Sequence, residues 1–204
     1  MSRNITFNQI LSDEPLFLDV VKSLKKGGII AFPTDTIYGL GVDSDSKAGV
    51  EALYKVKGRE KNKPLIVFLS SIENLFFLSI FPSPRTMRIL RRYWPGSLTG
   101  VFLNSTSKLK AFNNSTLGVR VPKHDGLINF LKKYPGFLLT TSANRSGKDV
   151  LKDPDEIEFE LGREIDFIID GGQVVEAEPS SVIDFSIDPP EVLRKGKISL
   201  NLEP

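Results

Sequence analysis

The sequence contains no cysteine. It can therefore form no disulfide, thiolate nucleophile or cysteine-ligated zinc site, which fits a reducing compartment. Histidine is almost as scarce, because His124 is the only imidazole in the chain. A serine-histidine-aspartate triad would have to use that residue, and a zinc centre built on several histidines is excluded. In "PKHDG" we interpret His124 as a surface residue or the start of a helix.

Long apolar runs and a strong net charge are also missing. No stretch approaches the roughly 18 apolar residues that span a membrane, and the first residues, "MSRNITFNQILSDEP", lack the apolar centre of a signal peptide. We therefore expect a soluble, cytoplasmic protein with no membrane partner. The 27 Lys and Arg against 25 Asp and Glu give a formal net charge of +2, which neither indicates nor excludes a nucleic-acid partner.

The residues that are present indicate a globular α/β fold. A chain of 204 residues, 40% of them hydrophobic, supports one core, so we expect one domain over residues 1–204. Apolar spacing and end signals predict helices at 16–26, 46–58, 71–80, 84–93, 126–134 and 155–161. Strands are predicted at 29–33, 64–69, 98–103, 117–122, 137–144, 166–172, 180–185 and 191–196. This alternation predicts a twisted sheet with helices on both faces, and the close spacing of the late strands adds antiparallel pairs.

The stretch "FPTDTIYGLG" places polar residues directly after a buried strand. Ligands in α/β proteins commonly bind there, because the sheet holds the side chains rigidly. Thr36 contributes a hydroxyl beside that of Thr34, and Asp35 and Tyr38 add a carboxylate and a ring with a polar tip. Two glycines at 39 and 41 would let the backbone approach a ligand or another strand. The alternative is a strand with a glycine kink and a threonine turn.

A cluster of cations follows in "KVKGREKNKPLIVF", where five Lys and Arg fall within nine residues. They are Lys55, Lys57, Arg59, Lys61 and Lys63. Because the cluster straddles Gly58 and leads into an apolar strand, several of these cations must leave the helix and point toward one strand end. Arginine forks and lysine charges in that arrangement suit a polyphosphate. The alternative is a solvated helix C-terminus, which attracts cations through the helix dipole.

A second strand end rich in hydroxyls occurs in "LLTTSANRSG". Ser142 and Asn144 would share one face of a continuing strand and could donate to phosphate oxygens or a ribose. The alternative is a Ser/Asn-rich turn.

Arg120 lies within the apolar strand "TLGVRVP". If Val119 and Val121 face the core, Arg120 faces a crevice and needs an anion partner. The alternative is an edge strand with a solvated arginine. Ser180 opens the strand "SSVIDF", and in "VLRKGKI" we interpret Arg194 as an ordinary surface cation. The sequence has no P-loop, no GxGxxG and no carboxylate cluster with metal spacing.

Seven short motifs occur in the order and approximate spacing of one known family. They are "PTDTIYGLG", "KGR" with "KPLIV", "WPGSLT", "GVRVP", "SANRSG", "SSVID" and "LRKG". Over residues 16–198 the chain thus resembles the threonylcarbamoyl-AMP synthase family, whose domain is also called YrdC-like. The resemblance implies an open, twisted α/β sheet with a large basic concave cavity. It also implies a reaction of L-threonine, bicarbonate and ATP to threonylcarbamoyl-AMP and pyrophosphate, which leads toward threonylcarbamoyladenosine in tRNA.

The resemblance also implies site residues. The family signature K-x-R…S-x-N falls on Lys57, Arg59, Ser142 and Asn144 as the catalytic residues that hold the ATP phosphates and the adenylate. The residues expected to bind or line the site of L-threonine are Thr36, Arg120, Thr140 and Ser180, with Arg120 paired to the substrate carboxylate. The remaining residues expected near the nucleotide are Lys63, Thr116 and Arg194. Mg²⁺ is expected with ATP rather than in a protein metal site. Further expected partners are tRNA and a downstream threonylcarbamoyl transferase complex.

The chain departs from the family pattern at several positions. Many relatives carry a histidine after the "PLIV" strand, where this sequence has Phe68. Many have asparagine at the position of Lys63, and "PSAN" where this chain has "TSAN". The chain stops at Pro204, so we expect the short form without an additional C-terminal domain. A divergent branch of the fold has lost parts of the K-x-R and S-x-N signature, and their presence here favours the synthase.

Two other functions are considered. An RNA-binding module would hold tRNA or duplex RNA by its phosphates in the basic cavity. Phosphate binding accounts for Lys57 and Arg59 but not for Thr36, Ser142 and Asn144. A carbamoyl-transfer accessory domain, as in hydrogenase maturation factors, belongs to long chains with zinc-binding cysteines, which this sequence lacks.

Overall fold

The computed structural model describes residues 2–58, 60, 64–112, 114–175 and 177–199. Within these ranges the strands are β1 (Arg3–Ile5), β2 (Ile30–Phe32), β3 (Gly39–Asp43), β4 (Ile66–Phe68), β5 (Leu98–Leu103), β6 (Thr116–Arg120), β7 (Leu138–Ser142), β8 (Phe167–Ile169), β9 (Ser181–Asp184) and β10 (Glu191–Arg194). They pair in the order β1-β8-β2-β3-β7-β4-β6-β5-β9-β10. The pairs β1/β8, β2/β8, β4/β6 and β5/β9 are parallel and the other pairs are antiparallel. The predicted open, mixed sheet is confirmed.

The helices of the described residues follow local sequence signals. They are α1 (Phe7–Ser12), α2 (Glu14–Lys25), α3 (Lys47–Lys57), α4 (Pro84–Tyr93), α5 (Asp125–Lys133) and α6 (Pro154–Leu161). The predicted caps of α3 are confirmed, since Ser46 accepts from an N–H of the first turn and Gly58 ends the helix at φ +57°. His124 is the N-cap of α5, where Nδ1 accepts from the Leu127 N–H at 3.2 Å. Among the described residues, no helix is both long enough and apolar enough to cross a bilayer.

The segment predicted as a helix over 71–80 is a 3-10 helix, Ile72–Leu78. Leu75 and Leu78, which are three residues apart, are both fully buried. Residues three apart eclipse one another on a 3-10 helix, so this winding directs both leucines into the core. Ser79 then ends the helix in the left-handed region at φ +57°.

Two apolar cores cover the two faces of the sheet, and β7 shows how one strand serves both. Leu139 packs in the core beneath α3, α4 and α6, whereas Leu138 packs in the core beneath α1, α2 and α5. Because side chains alternate along a strand, Thr140 and Ser142 continue the face of Leu138. Helices cover this face of β7 at Leu138. Further along the strand, the hydroxyl side chains of Thr140 and Ser142 lie on the same face.

The two glycines of β3 accommodate an aromatic ring. Phe32 pairs with Gly39 across β2 and β3, and its ring lies over both Gly39 and Gly41. The ring also makes a T-shaped contact with Phe68, with the ring centroids 6.0 Å apart. Of the two expectations for these glycines, close approach of another strand is confirmed, since the space they leave holds Phe32 of the paired strand β2.

A methyl group at Gly41 is expected to destabilise the fold. A Cβ there would lie 2.7 Å from Cε1 of Phe32, so the ring would have to move. We expect Gly41→Ala to lower the free energy of unfolding by about 1–3 kcal/mol, as overpacked core sites do. Urea denaturation measures this value.

The background Phe32→Leu provides the control for this prediction. Because leucine lacks the ring atom that would clash, Gly41→Ala should cost clearly less in that background than in the wild-type chain. Equal costs in both backgrounds would contradict the assignment of the glycine to the ring.

Candidate functional site

A cavity of about 390 Å³ lies on the sheet face that also carries α1, α2 and α5. Strand register brings its lining together, because Ser142 pairs with Gly39, Ile66 with Thr140 and Phe68 with Arg120. The predicted site residues that line this cavity are Thr36, Arg120, Thr140, Ser142, Asn144, Ser180 and Arg194. Residues far apart in the chain thus meet in one pocket.

The described lining of the cavity is positively charged. It contains the guanidinium groups of Arg120 and Arg194 and no carboxylate, while its other polar groups are mainly hydroxyls. Such a surface attracts anions and offers donors to phosphate or carboxylate oxygens.

Arg120 faces the cavity, as its neighbours in the sequence predicted. Val119 and Val121 are buried in the opposite core, while Arg120 itself is 3% exposed. Nη2 lies 2.7 Å from a carboxylate oxygen of Asp35, which supplies the anion that a buried arginine requires. Burial lowers the pKa of Arg120 and the Asp35 carboxylate opposes this shift. The ring of Phe68, centred 5.8 Å from Cζ, packs against the guanidinium.

The turn after β2 holds Thr36 against Arg120. The hydroxyl oxygen of Thr34 accepts from the N–H groups of Thr36 and Ile37 at 3.1 and 3.2 Å, which fixes the turn. The Thr36 hydroxyl accepts from Nη1 of Arg120 at 2.9 Å. The Thr36 hydroxyl, which was predicted to face the substrate, therefore belongs to the threonine turn that was the alternative interpretation of this stretch.

Tyr38 has a different role from the one its place in the motif suggests. Its hydroxyl donates to the Gly172 carbonyl and accepts from the Gly171 N–H, both at 2.9 Å. Burial raises the pKa of Tyr38 to about 12. The polar tip thus ties the turn after β2 to the turn after β8 instead of pointing to a ligand. The Gly172 N–H donates to a side-chain oxygen of Asp170 at 2.8 Å, which closes that second turn.

Lys57 lies behind the cavity wall. It is 2% exposed, and its ammonium donates to the Ser142 carbonyl at 2.7 Å, the Ser142 hydroxyl at 3.2 Å and the side-chain oxygen of Asn144. Asn144 donates in turn to the Lys148 carbonyl at 2.6 Å. Three signature residues therefore form one hydrogen-bonded group, in which Ser142 and Asn144 face the cavity and Lys57 supports them.

The prediction of a continuing strand through Asn144 is wrong. Strand β7 ends at Ser142, and the Asn144 N–H donates to the Ser142 carbonyl at 3.1 Å. The chain turns because Lys57 and the Asn144 amide hold these two residues together, so their side chains meet through a turn.

Ser180 and Arg194 form the opposite wall. The Ser180 and Thr99 hydroxyls are 2.8 Å apart, and Nε and Nη2 of Arg194 donate to the Ser180 carbonyl at 3.1 and 2.9 Å. Arg194 pairs with Val182 across a β-bulge, which turns its side chain to the cavity face. The interpretation of Arg194 as an ordinary surface cation is therefore corrected.

The remaining predicted residues are placed differently. Thr140 lines the cavity, and its hydroxyl donates to the Ile66 carbonyl at 2.9 Å. Thr116 shares the sheet face of Arg120 but lies at the other end of β6, outside the described lining.

Two predicted residues, Arg59 and Lys63, lie outside the described residues. No group of three His, Cys, Asp or Glu that could hold a metal ion occurs in the ranges that the structure describes.

Two site residues were missing from the predicted set. Asp35 is the counter-charge of Arg120, and Thr99 is the partner of Ser180. The carboxylate could have been assigned from the sequence, because a buried arginine requires an anion and Asp35 adjoins the predicted Thr36. Thr99 carried no comparable signal, since its contact depends on the pairing of β5 with β9.

The fold and the cavity define an α/β domain of the open, mixed-sheet class with a pocket of arginines and hydroxyls on one sheet face. The sequence profile of the Sua5/YciO/YrdC family, described as "Telomere recombination", matches residues 22–196. The chain belongs to this family, as the motifs predicted.

Three of the curated relatives that the chain matches are named threonylcarbamoyl-AMP synthase. The chain is 31% identical over 179 residues to threonylcarbamoyl-AMP synthase of Pyrococcus abyssi, which covers 87% of this chain and 53% of that protein. It is 28% identical over 195 residues to the synthase of Bacillus subtilis, covering 94% and 56%. For the synthase of Neisseria gonorrhoeae the identity is 34% over 164 residues, covering 79% and 86%. The chain spans about half the length of the first two relatives.

Solved structures agree with this assignment. Sua5 of P. abyssi, complexed with L-threonine, superimposes with a TM-score of 0.82 at 28% identity, covering 96% of this chain and 57% of that one. YciO of Escherichia coli superimposes with the same score at 25% identity and covers 96% of both chains.

The buried ammonium of Lys57 is expected to stabilise the fold. Lys57→Met keeps the apolar stem but removes the charged donor of the Ser142 carbonyl, the Ser142 hydroxyl and the Asn144 side-chain oxygen. We expect the free energy of unfolding to fall by about 1–3 kcal/mol, measured by urea denaturation. The control is Lys55→Met, an exposed position in the same helical turn, which should change stability by less than about 0.5 kcal/mol. A Lys57 variant as stable as this control would contradict the supporting role.

Proposed function

We propose that the protein is a threonylcarbamoyl-AMP synthase, a nucleotidyltransferase that converts L-threonine, bicarbonate and ATP to threonylcarbamoyl-AMP and pyrophosphate. One observation carries the proposal. The buried guanidinium of Arg120, the hydroxyls of Thr36 and Ser180, and the Ser142–Asn144 pair all line a single cavity. Family membership and the names of the relatives support the same activity.

The two ends of the cavity suggest a division of roles. Arg120 would pair with the carboxylate of L-threonine, while Thr36, Thr140 and Ser180 would line the same subsite. Ser142 and Asn144, supported by Lys57, would bind the phosphates and the adenylate. The other residues that we assign to the nucleotide are Arg59, Lys63, Thr116 and Arg194.

The chemistry requires positioning more than acid-base catalysis. The amine of threonine attacks the carbon of bicarbonate, and loss of water gives a carbamate. A carbamate oxygen then attacks the α-phosphorus of ATP, and the bond to the β-phosphate oxygen breaks to release pyrophosphate. Holding three substrates in line supplies much of the acceleration, and fixed cations stabilise the charge that develops on the phosphates.

Mg²⁺ fits this site as a partner of ATP. The described lining offers the cation no carboxylate ligand, which is consistent with a metal held by phosphate oxygens and water. When bound, it would neutralise charge on the leaving pyrophosphate. We place the reaction in the cytoplasm, where both ATP and tRNA are available, with a threonylcarbamoyl transferase complex as the consumer of the product.

RNA binding without synthase activity is the alternative. A phosphate-binding surface needs charge and shape but does not need hydroxyls aligned behind a buried arginine. The pairing of Arg120 with Thr36 at 2.9 Å therefore favours a small carboxylate ligand.

The direct test is an assay of the pure protein with ATP, L-threonine and bicarbonate. We expect release of pyrophosphate and formation of an acyl-adenylate, both dependent on threonine. Omission of bicarbonate should abolish product, and L-valine in place of threonine should give far less. Binding of tRNA with no threonine-dependent product would favour the alternative.

Removal of Arg59 is expected to slow turnover while leaving the fold intact. A charge-assisted contact to phosphate contributes about 2–3 kcal/mol, so Arg59→Ala should lower turnover by roughly thirtyfold to a hundredfold or more. The same pyrophosphate assay measures this loss. The control is Arg163→Ala, an exposed arginine just after α6, which should keep wild-type turnover. Comparable activity in both variants would count against the role of Arg59.

A further inference from the structure

The hydrogen bonds of Arg120 leave a specific set of donors available. A guanidinium carries five N–H groups. Nε donates to the Gly96 carbonyl at 3.0 Å, Nη1 to the Thr36 hydroxyl at 2.9 Å and Nη2 to Asp35 at 2.7 Å. Each terminal nitrogen keeps one N–H that no described residue accepts. Two N–H groups on adjacent nitrogens suit the two oxygens of a carboxylate.

Asp35 holds this arrangement from outside the cavity. Asp35 is absent from the described lining and borders a neighbouring cleft with His124 and Lys197, which meets the cavity at Thr34 and Thr36. One carboxylate oxygen accepts from Arg120, and the other accepts from the Ser97 hydroxyl at 3.1 Å. Because Asp35 borders a different cleft, we take its effect on a ligand in the cavity to pass through Arg120.

The charge of Asp35 also matters for selectivity. The side chains of Arg120 and Asp35 are only 4% and 11% exposed, so their charges interact with little screening by solvent. A buried guanidinium without a counter-charge would attract any anion, including the phosphates that the proposed reaction brings into the same cavity. With Asp35 in place the Arg120–Asp35 pair is neutral and Arg194 carries the remaining positive charge of the described lining, so geometry rather than the charge of Arg120 selects the ligand of its guanidinium.

We propose that Asp35 is a positioning residue that reserves the Arg120 fork for the carboxylate of the amino-acid substrate. This inference rests on the proposed function, because it assigns Arg120 to that carboxylate. Asp35 does not touch the substrate. It orients the guanidinium and lowers its attraction for phosphate and sulfate.

The test compares Asp35→Asn with the wild-type protein. Calorimetry measures binding of L-threonine and of L-threoninamide, which lacks the carboxylate, each with and without inorganic sulfate. We expect the wild-type protein to prefer threonine strongly, and Asp35→Asn to reduce this preference about tenfold as the fork loses its orientation. Sulfate should compete with threonine in the variant but not in the wild type. In the pyrophosphate assay, KM for threonine should rise about tenfold with kcat changed less than about threefold.

Two further variants sharpen the result. Ser97→Ala removes only the hydrogen bond to the second carboxylate oxygen and should shift the preference in the same direction by a smaller factor. Glu14→Gln removes an exposed carboxylate that pairs with Lys133 between α2 and α5, outside the described lining of the cavity, and it should behave as wild type.

Each outcome has a defined meaning. A folded Asp35→Asn protein with the wild-type preference and KM would overturn the inference and leave the proposed function standing. A wild-type protein that neither binds threonine nor releases pyrophosphate would overturn the proposed function itself. If Asp35→Asn fails to fold, Ser97→Ala decides, and a wild-type preference in that variant would overturn the inference.

Discussion

The buried guanidinium of Arg120 is the interaction on which the cavity depends. A cation removed from water is costly unless its hydrogen bonds and its charge are satisfied. Here the partners come from three separate segments, namely Asp35 and Thr36 after β2, Gly96 before β5 and the Phe68 ring at the end of β4. Bringing these segments together is therefore a condition both for burying Arg120 and for forming the wall of the site.

A line of packing extends from this centre into the apolar core. The ring of Phe68 contacts Arg120 on one side and the ring of Phe32 on the other. Phe32 in turn fills the space above the glycines of β3. Aromatic residues that pack the sheet, Phe32 and Phe68, are thus in contact with one another and with the guanidinium of Arg120. Cavity and core share a sheet face, so a core substitution near Phe32 reaches the site through two ring contacts.

Local signals were sufficient for much of the fold. Apolar spacing and caps located α3, α5 and most strands, and the valines beside Arg120 fixed the face on which it lies. Contacts between distant segments were beyond such reasoning. The burial of Lys57 depends on Ser142, 85 residues away, and the hydroxyl of Tyr38 depends on Gly172, 134 residues away. Only the assembled sheet brings these pairs into contact. The sequence could therefore identify Lys57 and Tyr38 as candidate site residues, but it could not show what their polar atoms contact.

The β-bulge at the end of β10 determines the sheet face on which Arg194 lies. Val192 pairs with Ile183 of the core, yet Arg194 pairs with Val182 on the cavity side. Without the bulge, the period of two would keep both positions on one face. The residue between them, Leu193, is 54% exposed. The irregular register, rather than the side chain of Leu193, therefore directs the arginine, so this edge tolerates exchange of that residue as long as the bulge is kept.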